Sequence, residues 1–366
     1  MAETRSGHPF AMYDGIRRQP ACVARLLEAR AAEIARAGDA AAASRRIFFA
    51  GIGSSYHAAQ LGELFLRHLS GGRVAAGLEQ SFELVHYQLR LTAEDCVVLV
   101  SHRGVRNYSV EALHAANAAG ALTIAVTGET RGEGMRGAQF ILETCEIETA
   151  FAHTKSFTTA LAALALLAIR IAQQRGELAD PSGARSALES IPQHMEEALA
   201  CESACREAAS RIAERQRWIF TGAGPNWVTA REGALKVKET SYIASEGFET
   251  EQFLHGPVSE ADHRAAVCTH LAGGAADARA SAVLRALGEV GALRVAIASR
   301  GAGAGADFPS EYRIELPAVD EWLSPFVHTV AVQWLAYYAA LARGTNPDTG
   351  RQDHPAHMRA FDLFKM

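Results

Sequence analysis

Lysine is nearly absent from this chain: of 36 basic side chains only four are lysine, Lys155, Lys236, Lys238 and Lys365. Arginine stands almost everywhere else, so a retained lysine marks a candidate position that a planar guanidinium cannot fill. Cysteine pairing is missing too. The six cysteines (Cys22, Cys96, Cys145, Cys201, Cys205 and Cys268) form no CxxC pair and no cluster with histidine. That excludes the usual zinc spacings and a disulfide framework, and favours buried thiols in a reducing cytoplasm. There is no basic run and the net charge is −5, against a general nucleic-acid binder. The first fifteen residues contain no apolar stretch of the signal-peptide kind. The longest apolar run, Thr159–Ile169, is too short for a bilayer. A third glycine of the dinucleotide fingerprint is also lacking, since Tyr56 and Trp227 occupy its place after Gly51/Gly53 and Gly222/Gly224. NAD binding is therefore not expected.

What is present is a two-domain length of 366 residues with a soluble globular composition, 49% hydrophobic and 21% charged. Short apolar strands alternate with helices: Arg46–Ala50, Cys96–Val100, Leu122–Val126 and Phe140–Leu142, then Trp218–Gly222, Ala265–Thr269 and Leu293–Ala298. Long helices are expected at Lys155–Gln174 and Glu321–Arg343. This alternation predicts an α/β fold with doubly wound parallel sheets. The boundaries read as an arm and helix over 1–45, a first domain over 46–175, a helical connector over 176–215, a second domain over 216–343 and a tail over 344–366. Ile47–Gly53 overlays Trp218–Gly224, Gly62 overlays Gly233 and Leu64 overlays Leu235, all at one offset. An internal duplication into two similar domains follows.

The stretch Arg231–Pro257 concentrates the chemistry. Glu232, Lys236 and Glu239 stand at helical spacing and share a face, which can hold a carboxylate base beside a cation that tunes it. The same spacing is also ordinary helix support. His255 precedes Gly256-Pro257, an imidazole at a turn. In the first half, Gly51–Tyr56 and Ser101–Ser109 follow strand ends, where parallel sheets bind ligands and helix N-termini attract anions. Ser54, Ser55 and Ser101 add hydroxyls, although Ser54-Ser55 is equally readable as a plain helix cap. The second half has no serine-rich turn after its second strand, so one site per chain is expected, with anion grip from the first half and chemistry from the second.

The segment EGALKVKETSYI…FLHGP closely resembles the core motif of the sugar isomerase (SIS) domains in glucosamine-6-phosphate synthase. GIGSSYHAA resembles that family's phosphate-binding turn, Glu148–Thr159 the close of its first SIS domain, and Leu323–Asp348 its last helix and tail. The likeness covers nearly the whole chain. It implies two flavodoxin-like SIS domains in tandem, in a homodimer that shares its sites. By resemblance, Glu239 moves a proton between C1 and C2 of a sugar phosphate. His255, often supplied by the other subunit, assists ring opening, and Lys236 supports the developing enediol charge. Gly53, Ser54, Ser55 and Ser101 belong to the phosphate grip, and His102 beside them is a further candidate for holding the substrate.

Four departures qualify this. The glutaminase domain does not precede the motifs and no cysteine follows Met1, so glutamine dependence is not expected. The family's hydroxyl-rich loop reads Ser101-His102-Arg103-Gly104-Val105-Arg106, with two hydroxyls become arginines. Arg103 and Arg106, turned inward, would clamp phosphate or accept a carboxylate; turned outward they are solvated. His153 stands where the family has a small residue near the sugar. The family's Schiff-base lysine is Pro355 here, and Lys365 is the one tail lysine, so imine chemistry is not expected unless the tail is re-registered.

The expected function is a phosphosugar-processing enzyme: an aldose–ketose isomerase, or an amino-sugar-phosphate deaminase or deglycase, working through an enediol(amine). No cofactor or metal is called for, because positioned side chains can stabilise such an intermediate. The expected ligand is an anionic, phosphorylated sugar, with no nucleic-acid or membrane partner. The alternative is a non-catalytic sugar-phosphate sensor, as SIS domains also serve in regulators.

Overall fold

The computed structural model describes residues 5–87, 90–105, 107–129, 133–303 and 308–364. Helices α1 (Ala11–Ala29) and α2 (Ala31–Ala42) precede the first strand. The first sheet and its helices follow as β1 (Arg46–Gly51), α3 (Ser54–Leu69), β2 (Ala76–Gln80), α4 (Ser81–His86), β3 (Asp95–Val100), α5 (Asn107–Ala118), β4 (Leu122–Thr127), β5 (Phe140–Glu143) and α6 (Lys155–Gln174). Helices α7 (Pro181–Ala198) and α8 (Glu202–Ile212) lead to the second set. That set is β6 (Arg217–Gly222), α9 (Pro225–Ser241), β7 (Ala244–Glu249), α10 (Thr250–Leu254), β8 (Ala265–Leu271), α11 (Asp277–Glu289), β9 (Leu293–Ser299), β10 (Tyr312–Leu316) and α12 (Ser324–Ala342). The tail, for which no helix was expected, carries one more, α13 (Pro355–Phe364).

Each set makes a wholly parallel five-stranded sheet, in the orders β2-β1-β3-β4-β5 and β7-β6-β8-β9-β10. Counted within each repeat the order is the same, so these are two flavodoxin-like three-layer domains in tandem. Three edge strands, β2, β7 and β10, escaped the sequence reading. They are half-exposed and carry no unbroken apolar run, unlike the fully buried β3 and β8. The chain divides into two compact units. One comprises Gln19–Glu148 with Lys155–Pro192; the other comprises Gln193–Phe364 with Thr149–Thr154 and the segment ending at Arg18.

The duplication is visible in atomic detail within each unit. Gly53 (φ 61, ψ −131) and Gly224 (φ 53, ψ −133) both cap the helix after the first strand in a conformation open only to glycine. A Cβ on Gly62 would stand 2.9 Å from Phe49 Cδ1 and 3.2 Å from Leu164 of α6, and one on Gly233 3.2 Å from Phe220 Cδ1 and 3.0 Å from Val332 of α12. In both repeats a glycine lets the first helix lie close under the last. By length and composition α6 would span a membrane, but 89% of its apolar window is buried against protein. It is a core helix.

Candidate active site

In the second unit the face predicted on α9 forms. The Lys236 ammonium is 1% exposed and pairs with Glu239, while Glu232, fully buried, lies 3.4 Å from the same nitrogen. Burial alone would pull Lys236 down, but the two carboxylates outweigh it and hold its pKa above the ordinary lysine value. Burial pushes the Glu239 carboxyl up; Lys236 opposes this, Glu232 adds like-charge repulsion, and the net shift is upward. Glu239 alone of the three keeps a fifth of its side chain exposed. A carboxylate raised toward neutral pH with one accessible side suits proton transfer.

That exposed side lines a cleft of ≈ 510 Å³, shared with Phe151, Tyr242, Arg351, His357 and Phe361. Among the described residues, Tyr242 (φ 59) and Arg351 (φ 65) are the two non-glycines with positive φ, and they touch. The Arg351 guanidinium lies 4.4 Å from the Tyr242 ring centroid, and its backbone N–H donates to the Tyr242 hydroxyl at 2.9 Å. Backbone strain of this kind persists where surroundings enforce it, and it clusters at functional sites. The sequence reading missed this wall. A signal existed: only Tyr242 and Ile243 join α9 to β7, and no glycine is there to make the reversal. Asp348 steadies the tail by accepting hydrogen bonds from Ala11 and Met12 at the start of α1, while its carbonyl accepts from Phe151 N.

His255 is not brought to Glu239 within the unit. Helix α9 runs back along the sheet, so Glu239 lies at the amino ends of the strands. His255 follows the carboxyl end of β7, a six-residue strand, roughly 20 Å away. Its imidazole is 75% exposed, 3.5 Å from Glu251, which also pairs with Arg279. His153 is half-buried in the Thr149–Thr154 segment that also carries Phe151.

In the first unit, the turns predicted to hold an anion flank β1 and β3, the strands between which the order reverses. Gly53, not a serine, is the cap of α3, and it makes no side-chain cap bond. Ser54 and Ser55 therefore sit inside the first turn, at the positive end of the helix dipole, with the Ser55 N–H donating to Ile52 O at 3.2 Å and the Tyr56 N–H to Gly53 O at 2.9 Å. Ser101 is buried at the end of β3, with its N–H bound to Val126 O at 3.0 Å. His102 is turned inward. Its Nε2 accepts from Glu148 N at 3.2 Å and its carbonyl accepts from Gly128 N at 2.8 Å. Burial pushes this imidazole down to about 4, despite the nearby Glu148, so it is neutral at ordinary pH. Arg103 is exposed on the turn. Arg106 and Lys365 lie outside the described residues.

The matching crevice of the second sheet is filled from within. By strand register Ser101 corresponds to Leu271, and Ser54-Ser55 correspond to Pro225-Asn226. Glu321 Oε1 lies 3.7 Å from where a Gly224 Cβ would stand, and a Cβ on Gly274 would overlap the same carboxylate. Behind it, His270 and His328 share an Nδ1–Nδ1 hydrogen bond of 2.9 Å, and His328 Nε2 meets Ser299 Oγ at 3.0 Å. Burial pushes His328 down to about 3, and burial with the neighbouring imidazole lowers His270 as well.

The SIS domain family matches residues 42–170 and 211–343, one segment for each sheet. The chain belongs to this family. Among relatives of the SIS chain, a glutamine–fructose-6-phosphate aminotransferase (isomerizing) of Thermococcus kodakarensis is 30% identical over 355 residues. The match takes in 96% of this chain but 58% of the relative's length. Among solved structures, the C-terminal domain of glucosamine-fructose-6-phosphate aminotransferase from Francisella tularensis superposes with TM-score 0.85 at 22% identity, over 94% of this chain and 100% of that one. Glucosamine-6-phosphate deaminase from Thermotoga maritima gives TM-score 0.73 at 21% identity, over 93% and 97%. At these identities the structures speak for the SIS fold.

Proposed function

We propose that the chain converts a phosphorylated sugar or amino sugar by moving a proton between C1 and C2 through an enediol(amine). It would act as an aldose–ketose isomerase, or as an amino-sugar-phosphate deaminase or deglycase. The observation that carries this is the buried Glu232–Lys236–Glu239 face opening at Glu239 alone onto a cleft. Glu239 as carboxylate takes the proton from one carbon and returns it to its neighbour, and Lys236, enclosed behind it, is its electrostatic partner. The relatives' names, an isomerizing aminotransferase of fructose 6-phosphate and a glucosamine-6-phosphate deaminase, point to the same substrate class.

In this reading Gly53, Ser54, Ser55 and Ser101 hold the phosphate, with Arg103 at the rim. His102, buried with its Nε2 accepting from Glu148 N, holds the turn from inside. His153 lies near the sugar, and Arg106 belongs with the anion grip. Because His255 and Glu239 lie at opposite ends of β7, ring opening by His255 requires the imidazole of a second copy, hence a homodimer.

The test is twofold. Hexose and hexosamine 6-phosphates are screened by thermal shift, then deuterium exchange at the carbon next to the carbonyl is followed by NMR. Wild type should be stabilised and should exchange. Glu239→Gln should bind but exchange about 10²–10⁴-fold more slowly. Since Glu239 must be ionised and its pKa is raised, exchange should fail on acidification at a higher pH than an ordinary carboxylate would give. Binding without exchange in wild type would leave a sensor and sink the enzyme; binding of no phosphosugar would sink both.

A further inference from the structure

Helix α13 brings one titratable side chain to the Glu239 cleft. His357 and Phe361 stand one turn apart on the helix, share a face, and both line the cavity onto which Glu239 opens. Phe361 fixes that face. Its ring meets the Phe151 ring edge-on at 6.0 Å. Gly350 lets the chain ahead of the helix close on the same ring, since a Cβ there would stand 2.4 Å from Phe151 Cδ1. Away from the cleft the helix is solvated, with Met358 41% and Leu363 80% exposed. His357 itself is half-buried, and the His354 ring lies edge-on to it at 5.3 Å. Glu239, Phe151 and α13 all belong to one compact unit.

An aldose–ketose shift moves two kinds of proton. Glu239 serves the proton on carbon, but a proton must also pass from one oxygen to the other, and a second group is needed to give and take it. The groups around His357 are badly suited to that. Arg351 keeps its charge and lies over the Tyr242 ring. The Tyr242 hydroxyl already accepts from the Arg351 N–H, Lys238 stands exposed at the rim, and Lys236 is enclosed between two carboxylates. An imidazole can donate and accept near neutral pH. Among the described residues that line the cleft, His357 is the one imidazole.

We propose that His357 is the catalytic acid–base for the oxygen protons, working with Glu239 within one chain. The imidazolium gives its proton to the carbonyl oxygen O1 while Glu239 takes the proton from C2, and a neutral enediol results. The imidazole then takes the proton from the O2 hydroxyl while Glu239 delivers its own to C1, which leaves a carbonyl at C2. Both groups end as they began, and no oxidant, reductant or co-substrate is consumed. This rests on the enediol reading above and leaves ring opening to His255.

The test is deuterium exchange by the whole protein on fructose 6-phosphate and glucosamine 6-phosphate, followed by NMR across pH. Wild type should show a bell-shaped profile, with an acid limb from Glu239 and an alkaline limb from His357. His357→Gln should lower kcat for exchange about 10²-fold and lose the alkaline limb, with KM within about threefold of wild type. Met358→Ser, on the solvated side of the same helix, should match wild type. An unchanged kcat and alkaline limb in His357→Gln would overturn the inference and leave the enediol reading standing. A rise in KM alone would reduce His357 to a binding contact and also overturn it. So would an equal loss in Met358→Ser, which would trace the effect to the helix as a whole. No exchange by wild type on either sugar would overturn it together with the enediol reading.

Discussion

The two sheets have one topology and opposite endowments. On α3 the buried face that packs under α6 includes Leu61 and Phe65, both apolar. At the corresponding places on α9 stand Glu232 and Lys236, equally enclosed, with the partly exposed Glu239 one turn on. The carboxyl edges differ in the reverse sense. The first sheet offers hydroxyls at Ser54, Ser55 and Ser101; the second has Pro225, Asn226 and Leu271, with the Glu321 carboxylate already in the crevice. A buried ion pair is a poor way to stabilise a helix that apolar residues hold as well in the sister repeat. In the function proposed above, the charges on α9 serve the chemistry and the first repeat the binding.

The strongest test of that contrast is to make α9 resemble α3. Lys236→Met alone strands two carboxylates and should cost about 3–5 kcal/mol in urea denaturation. Glu232→Leu/Lys236→Met/Glu239→Gln, which removes every charge, should return to within about 2 kcal/mol of wild type yet show no exchange activity. A triple variant as unstable as the single one would break the comparison. Acid should also cost stability. The neutral, buried His270–His328 pair accepts protons only on unfolding, so stability should be full above pH 6.5 and fall as pH drops toward about 3, by about 1.4 kcal/mol per pH unit for each proton taken up. All four tryptophans (Trp218, Trp227, Trp322 and Trp334) lie in the second unit, so their fluorescence reads that repeat by itself. Smallest of all, Glu321→Gln should cost about 0.3–1 kcal/mol by removing the anion at the start of α9, and added sulfate should restore it. No loss, or no rescue, would mean that Glu321 is not standing in for an anion.

Much of this was legible in the sequence, for physical reasons. Strands β1, β3, β4, β6, β8 and β9 announce themselves as apolar runs because both their faces are covered. The α9 face shows through helical spacing, and the duplication through glycines that neither repeat can change. Edge strands β2, β7 and β10 did not show, since half-exposed strands carry no such run. Nor did the cleft wall, where Phe151, Tyr242 and Arg351 meet from three distant stretches of chain. The inward turn of His102 was equally invisible, because spacing does not say which way a loop side chain faces.

Helix α6 has a consequence for how the protein comes into being. It is the last element of the first repeat, and the core under α3 is incomplete until Leu164 arrives. Strands β1 to β5 must therefore wait, partly uncovered, for a helix apolar enough to be mistaken for a membrane segment. The hazardous moment in the life of this chain falls during synthesis, when α6 has emerged and not yet docked. A chaperone shortage or a slowed ribosome would be felt first there, as aggregation of a half-made first repeat.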